Sequence, residues 1–306
     1  MERHARWRRQ LQIALGLIWL LDAGLQYQPY MFHKGFVVDV LEGSASGNPG
    51  VVKSPILSFA HLVIHHPAMW NTGFATIQLL LAIGILWRPT VKPALVASIV
   101  WSLAVWWFGE GMGGVLSGAT PVMGYPGAVL LYALIALLVW PSDRTSSSVA
   151  ASGALGESVP RILWLLLWAS FVRFLLLSAN RSPQGLNGAL AGMAPGEPQW
   201  EKSIDNHLAS ALAHHGTQVS IILAVLCALV AVGIFIPALL RPALVVASIT
   251  AIAFWVAQDF GGLFTSQGTD PNSGPLIVLL AATMWPLLPE RALTAALGDD
   301  RLQPVG

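Results

Sequence analysis

Pro93-Ala94-Leu95-Val96 returns as Pro242-Ala243-Leu244-Val245, 149 residues further along the chain. His65-His66 returns as His214-His215 at the same interval of 149. Trp107, Gly113 and Gly114 match Trp255, Gly261 and Gly262 at an interval of 148, and Trp140-Pro141 matches Trp285-Pro286 at 145. A register held over half a chain marks a duplicated unit, so the fold is read one unit at a time.

Composition sets the solvent of each unit. Of 306 residues, 55% are hydrophobic and 10% charged, against about 25% charged in an ordinary soluble domain. Mean hydropathy is +0.65. These values describe an integral membrane protein whose first partner is the lipid bilayer. The net charge of +1 gives no basic excess for a nucleic acid. One cysteine, Cys227, excludes a disulfide framework and a cysteine-based metal motif within the chain. The basic start, Met1 to Gln10, leads into an apolar run that continues to Asp22 and Gln26-Tyr27-Gln28 without a small-residue cleavage site, which reads as a retained first span.

A span needs about 20 apolar residues, and eight candidates occur, at roughly 11–30, 67–87, 93–110, 126–141, 161–178, 217–239, 242–260 and 274–289. Four per copy is an even number, so both copies share one orientation. The expected fold is all-α, a polytopic membrane protein of eight transmembrane helices arranged as two tandem parallel four-helix repeats about a pseudo-twofold axis along the membrane normal. The first repeat covers 1–141 and the second 161–290. Between them 142–160, rich in Ser, Ala and Gly, reads as a flexible cytoplasmic linker, and 291–306 forms a cytoplasmic tail.

Eleven basic residues, among them Arg3, Arg6, Arg8, Arg9, Arg88, Arg144, Arg241, Arg291 and Arg301, fall on one side, against Lys34, Lys53, Arg181 and Lys202 on the other. That bias puts both termini in the cytoplasm, in an inner or plasma membrane. The outward loops, Phe32 to Ile64 and Ala179 to Ala213, are long. Phe36, Val37, Val40 and Leu41 have helical spacing there and predict short helices at the membrane surface. Elaboration on one face places function at the outer side.

Seven of the eight histidines, His33, His61, His65, His66, His207, His214 and His215, lie in these loops or at the mouth of the next span. Antiparallel neighbours put His65-His66 near Glu110, and His214-His215 near Asp259. Strict alignment sets Glu110 on Gln258, with Asp259 one residue along. Three readings stand: a divalent metal site on His61, His65, His66, His207, His214 and His215, proton handling for a quinone or other redox ligand, or plain interface anchoring.

Inside the spans, Trp19 matches Trp168, Asp22 matches Phe171 and Gly24 matches Arg173. A charge at bilayer depth costs on the order of 3 kcal/mol, so such residues pair or face a cavity. Asp22 and Arg173 read as an ion pair locking the copies together. Two alternatives are an anion-binding Arg173 with Asp22 as proton acceptor, and an Arg173 that snorkels outward. Ser98, Ser102, Trp106 and Glu110 recur every four residues, a packing face. Asn71 and Gln78 have no clear counterpart in the second copy. Phosphate-cradling glycine loops, nucleophile elbows and HExxH are all absent, so no enzyme class is named.

The layout of one span, a long outward loop and three further spans resembles the DoxX/DoxD-like family, as do the turns Leu86-Trp87-Arg88-Pro89 and Leu240-Arg241-Pro242. The resemblance covers each half, as in a fused double unit. Some members of that family are described as the membrane part of a thiosulfate:quinone oxidoreductase, others as membrane partners in redox or detoxification assemblies. It implies an integral membrane subunit of a quinone-linked redox system, with other redox-complex subunits as partners. The chain departs from the family where Gln26-Tyr27-Gln28-Pro29 replaces a basic residue after the first span. The paired histidines are not a family feature. A transporter or ligand-binding protein using Asp22 and Arg173, and a non-catalytic membrane scaffold, are the alternatives.

Overall fold

The computed structural model describes residues 2–142, 149–182, 186 and 198–287. Arg144, Arg291, Arg301, the tail 291–306 and much of the second outward loop lie outside them. Among the described residues the chain is all-helical, with one isolated β-bridge between Val149 and Pro286. The principal helices are α1 (Glu2–Gln26), α2 (Gly50–Val63), α3 (Pro67–Leu86), α4 (Val91–Phe108), α5 (Ala128–Leu138), α6 (Ser158–Leu175), α7 (Gln199–Leu212), α8 (Gly216–Gly233), α9 (Leu240–Val256) and α10 (Ser273–Thr283).

Among the described residues four stretches are long and apolar enough to cross a membrane: α3, α4 with its preceding turn, α6 and α8. Their outward faces are greasy. Leu80 and Ile83 on α3, Val100 on α4, Leu166 on α6, and Ile222 and Leu229 on α8 are all exposed. Gln12, Asp22, Asn71, Ser98, Ser102 and Ser220 are buried instead. Such an inside-out distribution suits hydrocarbon as the surrounding medium.

The fourth helix of each half departs from the expectation of equal spans. α5 and α10 have 11 residues each, about 16 Å of helix against a hydrocarbon layer of about 30 Å. Both are apolar nearly all round, which sends a helix to the interior. They pack on each other at the centre and join the halves.

Neighbour relations repeat between the halves. α1 lies along α3 and α6 along α8, while α4 lies along α5 and α9 along α10. Asn71 Nδ2 donates to the Gln26 carbonyl at 2.7 Å, and 149 positions on Ser220 Oγ donates to the Leu175 carbonyl at 2.5 Å. Asn71 therefore has a counterpart after all, disguised by a change of residue type. Gln78 aligns with Cys227 by the same interval, and both are buried.

The repeated Gly-Gly pairs mark repeated backbone crossings. Met112 and Gly113 have φ of 58° and 59°, and Phe260 and Gly261 have 53° and 73°. A Cβ on Gly113 would lie 1.7 Å from the Pro126 carbonyl oxygen, and one on Gly261 would lie 2.6 Å from the Pro271 carbonyl carbon. Only glycine tolerates both the left-handed backbone and the approach.

Side-chain hydrogen bonds fix which helix ends lie together. Arg9 donates to the Ile85 and Leu86 carbonyls at the end of α3, which suits a cation at a helix C-terminus. Gln12 Nε2 donates to the Val139 carbonyl at 2.8 Å and Trp7 Nε1 to the Ala282 carbonyl at 3.1 Å. The start of α1 and the ends of α3, α5 and α10 therefore share one end of the molecule. The other is the loop end.

The linker is not a loose tether where it is described. Val149, Ala150, Ala151 and Ser152 are buried. Arg8 donates to the Ser142 carbonyl at 2.7 Å and the Ala150 carbonyl at 3.3 Å, and the Ala151 N–H donates to the Thr283 carbonyl at 3.0 Å. The small side chains that suggested flexibility instead let the backbone nestle between the start of α1 and the end of α10. Residues 143–148 lie outside the described set.

Candidate functional site: a carboxyl-lined chamber

Asp22 sits one turn inside the loop end of α1 and is 1% exposed. The Tyr132 hydroxyl, on α5, donates to Asp22 Oδ2 at 2.5 Å. Tyr132 is held in turn by the Trp19 ring, 4.3 Å away between centroids, and Trp19 Nε1 donates to Ser98 Oγ at 3.0 Å. Asp22 Oδ1 has no hydrogen-bond partner in the protein.

Asp22 lines a chamber of about 450 Å³. Its walls are aromatic, with Trp19, Phe59, Trp70, Phe74, Trp101 and Phe108. Its polar lining includes Asp22, Gln26, Gln78, Glu110 and Asp270, and among the described residues no lysine, arginine or histidine lines it. The Oε1 atoms of Gln26 and Gln78 are also buried without a partner. Both residues are more than nine-tenths buried.

Glu110 follows α4. Its Oε1 accepts the Val129 N–H at 3.2 Å, so the carboxyl caps the start of α5, where the helix dipole favours an acid. Gln258 does the corresponding work in the second half. Its Oε1 accepts from Ser273 Oγ at 3.1 Å beside the start of α10. The strict alignment of Glu110 with Gln258 therefore describes the geometry. Asp259 takes the left-handed position of Gly111, with φ of 49° against 55°. It is buried in the second half and does not line the chamber.

The third carboxyl, Asp270, was not singled out by the sequence. It comes from the second half's loop and crosses to the first half's chamber. Thr269 Oγ1 donates to its Oδ2 at 2.9 Å and the Asn272 N–H to its Oδ1 at 2.7 Å. Burial of the carboxyl raises its pKa despite those two hydrogen bonds. Asp22, Glu110 and Asp270 lie within electrostatic reach of one another. With no cation lining the same space, three charged carboxylates would repel.

The interval of 145 exposes the logic of Asp270. Its counterpart is Tyr125, which crosses the other way. Tyr125 packs 6.0 Å from Phe171 and 4.1 Å from Phe174, between ring centroids. Phe171 is the counterpart of Asp22. Each half thus lends one loop side chain to the other, polar in the first half and aromatic in the second. The signal was present as a Tyr–Asp mismatch within the repeat.

A second, more polar chamber of about 360 Å³ adjoins the first. Val40, Gly109, Glu110, Thr269 and Asp270 line both. Ser44, Asn48 and Asn272 line the polar one alone.

The other candidate residues are placed elsewhere. His61, His65, His66, His207, His214 and His215 are all exposed, and none lines either chamber. The His61 and His65 rings do meet edge to face, 5.0 Å apart, as their spacing predicts. His207 Nδ1 lies 2.5 Å from the Ser203 carbonyl. Among the described residues no three His, Cys, Asp or Glu side chains group closely enough to hold a metal. His61 and His207 lie within α2 and α7 and the other four in the turns that follow those helices, while Glu110 turns inward to cap α5. The structure likewise does not bring Asp22 to Arg173. Arg173 is exposed, with its guanidinium 4.9 Å from the centroid of the Phe174 ring. The halves meet through α5 and α10 rather than α1 and α6, so the expected ion pair has no interface to form across. No family model, curated protein or solved structure matches the chain.

Proposed function

We propose that the protein is an integral membrane subunit of a quinone-linked redox system and that the chamber beside Asp22 binds the quinone-class ligand. In this reading the chain crosses the membrane eight times, as two like-oriented units with both termini cytoplasmic. The carrying observation is Asp22: a carboxyl fixed by Tyr132 through one oxygen, with its other oxygen unpartnered in an aromatic-walled chamber. The donor set fits a flat apolar ring bearing carbonyl oxygens. Aromatic walls stack on such a ring, the amide nitrogens of Gln26 and Gln78 donate to its oxygens, and Asp22 does so in its acid form. A bound quinone would supply the redox chemistry. The chain's own residues orient the ring, exclude water with Phe74, Trp101 and Phe108, and hold protons at Asp22, Glu110 and Asp270. Assignment to a redox system rather than simple binding rests on the DoxX/DoxD resemblance of the sequence.

The test is isothermal titration of the protein in lipid nanodiscs with a tail-less benzoquinone. Saturable binding is expected, weakened about tenfold by Asp22→Leu, which removes the donor altogether, and unchanged by His65→Ala and His214→Ala. Absence of saturable binding, or binding indifferent to Asp22→Leu, overturns the reading.

The polar chamber supports a second reading, a proton-coupled transporter in which Glu110 and Asp270 pass protons between that chamber and Asp22. Proteoliposomes loaded with a pH-sensitive dye separate the two. Ligand-driven proton movement without any electron donor favours transport.

A further inference from the structure

The aromatic chamber reaches the lipid-facing surface between α3 and α4. Met69, Ile77 and Ala104 line it and are themselves exposed to the exterior. Beside this opening a shallow apolar groove runs along the same two helices, with a volume of about 540 Å³. Ile77, Trp101 and Ala104 line both spaces. Groove residues on α4 run from Pro93 to Ala104, about 16 Å of helix. Small side chains on α4, at Pro93, Ala97 and Ala104, leave the depression, with Val96 and Val100 alongside.

Orientation gives the groove its meaning. α4 runs from the turn end to the loop end, where Asp22, Glu110 and Asp270 gather. The groove therefore leads from the chamber back toward the membrane interior, entirely over apolar side chains. An amphiphile with its head among the carboxyls has one direction in which to lay a hydrocarbon chain without crossing a polar surface. We infer that the groove between α3 and α4 binds the hydrocarbon tail of the ligand whose head occupies the chamber, and that the ligand comes from the bilayer. This rests on the chamber being the head-group site. Inside a bilayer the tail gains little from leaving lipid, so recognition comes from packing against the groove floor.

The test compares a benzoquinone carrying a decyl chain with its tail-less parent, by titration into the full chain in nanodiscs. Ala97→Trp and Val100→Trp fill the groove from positions that do not themselves line the chamber, and both face lipid, so the fold has room for the added ring. Val225→Trp, on the exposed face of α8, controls for a bulky lipid-facing side chain. Partition of the decyl compound into lipid is common to all variants and cancels. The groove variants are expected to weaken the decyl compound by about tenfold and leave the parent within about twofold of wild type. Equal affinity of wild-type and groove variants for the decyl compound overturns the tail site and leaves the chamber standing, since the space then holds only annular lipid. Equal loss for both compounds also overturns it, because the groove would not be reading the tail. If wild type binds neither compound, the chamber reading falls and the tail site with it.

Discussion

Replacing Tyr132 by phenylalanine removes one oxygen from the centre of the protein and little else. The ring stays against Trp19, 4.3 Å away, and Tyr132 is fully buried, so its packing is retained. What disappears is the hydroxyl that donates to Asp22 Oδ2 at 2.5 Å. Asp22 is 1% exposed and its Oδ1 has no protein partner, so the variant leaves the carboxyl with neither oxygen held. Interhelical hydrogen bonds in membranes average about 0.6 kcal/mol and reach about 1.7. Leaving a buried group unpartnered costs about 1–3 kcal/mol. Because no second donor is in place, the expectation lies where these ranges overlap, a loss of about 1.5 kcal/mol. The assay is reversible unfolding in mixed micelles titrated with SDS, run as a cycle with Asp22→Leu and the double variant. The double variant should recover at least about half of the Tyr132→Phe loss, since no carboxyl then remains to be stranded. A coupling energy below about 0.3 kcal/mol would mean that the hydrogen bond does not hold Asp22, and the account of the chamber's polar end would be wrong.

Ala247 occupies the place of Ser98 in the second half, and Trp168 Nε1, the counterpart of the bonded Trp19 nitrogen, is buried without a partner. Ala247→Ser should therefore raise the unfolding free energy by about 0.5–1 kcal/mol and Ser98→Ala should lower it by about 1, both read in the same SDS titration. The pKa of Asp270 is raised above its ordinary 3.8 by burial, so the folded state keeps its proton longer than the unfolded state. Its contribution is then complete at pH values below the unfolded pKa and is lost as pH rises through the folded one. Stability profiled upward from pH 4 should fall less steeply in Asp270→Asn than in wild type, and a steeper fall in the variant would contradict the sign. Arg8→Ala removes the donor to the Ser142 and Ala150 carbonyls, and limited proteolysis should cut between 142 and 156 at least about fivefold faster than in wild type.

The repeated pattern was legible because glycine cannot be replaced where the backbone passes close to itself. Gly113 and Gly261 keep their identity because a Cβ at either would strike the opposing chain. Pairs such as Asn71 and Ser220 stayed hidden because a hydroxyl and an amide make the same bond to the same carbonyl, and geometry rather than residue type is what the repeat preserves. The importance of Asp22 could be read from its charge alone, since burying a carboxyl in a helix bundle needs a reason. Its partner could not. Arg173 was the obvious choice by charge and depth, but which helices touch is decided by the all-round apolar character of α5 and α10, and that selects a neutral tyrosine. The histidines drew attention by number and spacing. Their count says nothing about direction, and the exposed faces of α2 and α7 and the turns after them carry all six outward.

The mutual loan of Tyr125 and Asp270 means that neither half is a self-sufficient module. A polypeptide ending near residue 141 would leave Tyr125 without the aromatic nest it fills and the Asp22 cavity without one of its three acids. Joining the halves in one chain holds the acidic interior beside Asp22 and the aromatic packing around Phe171 in one-to-one register, each completed by a side chain from the other half.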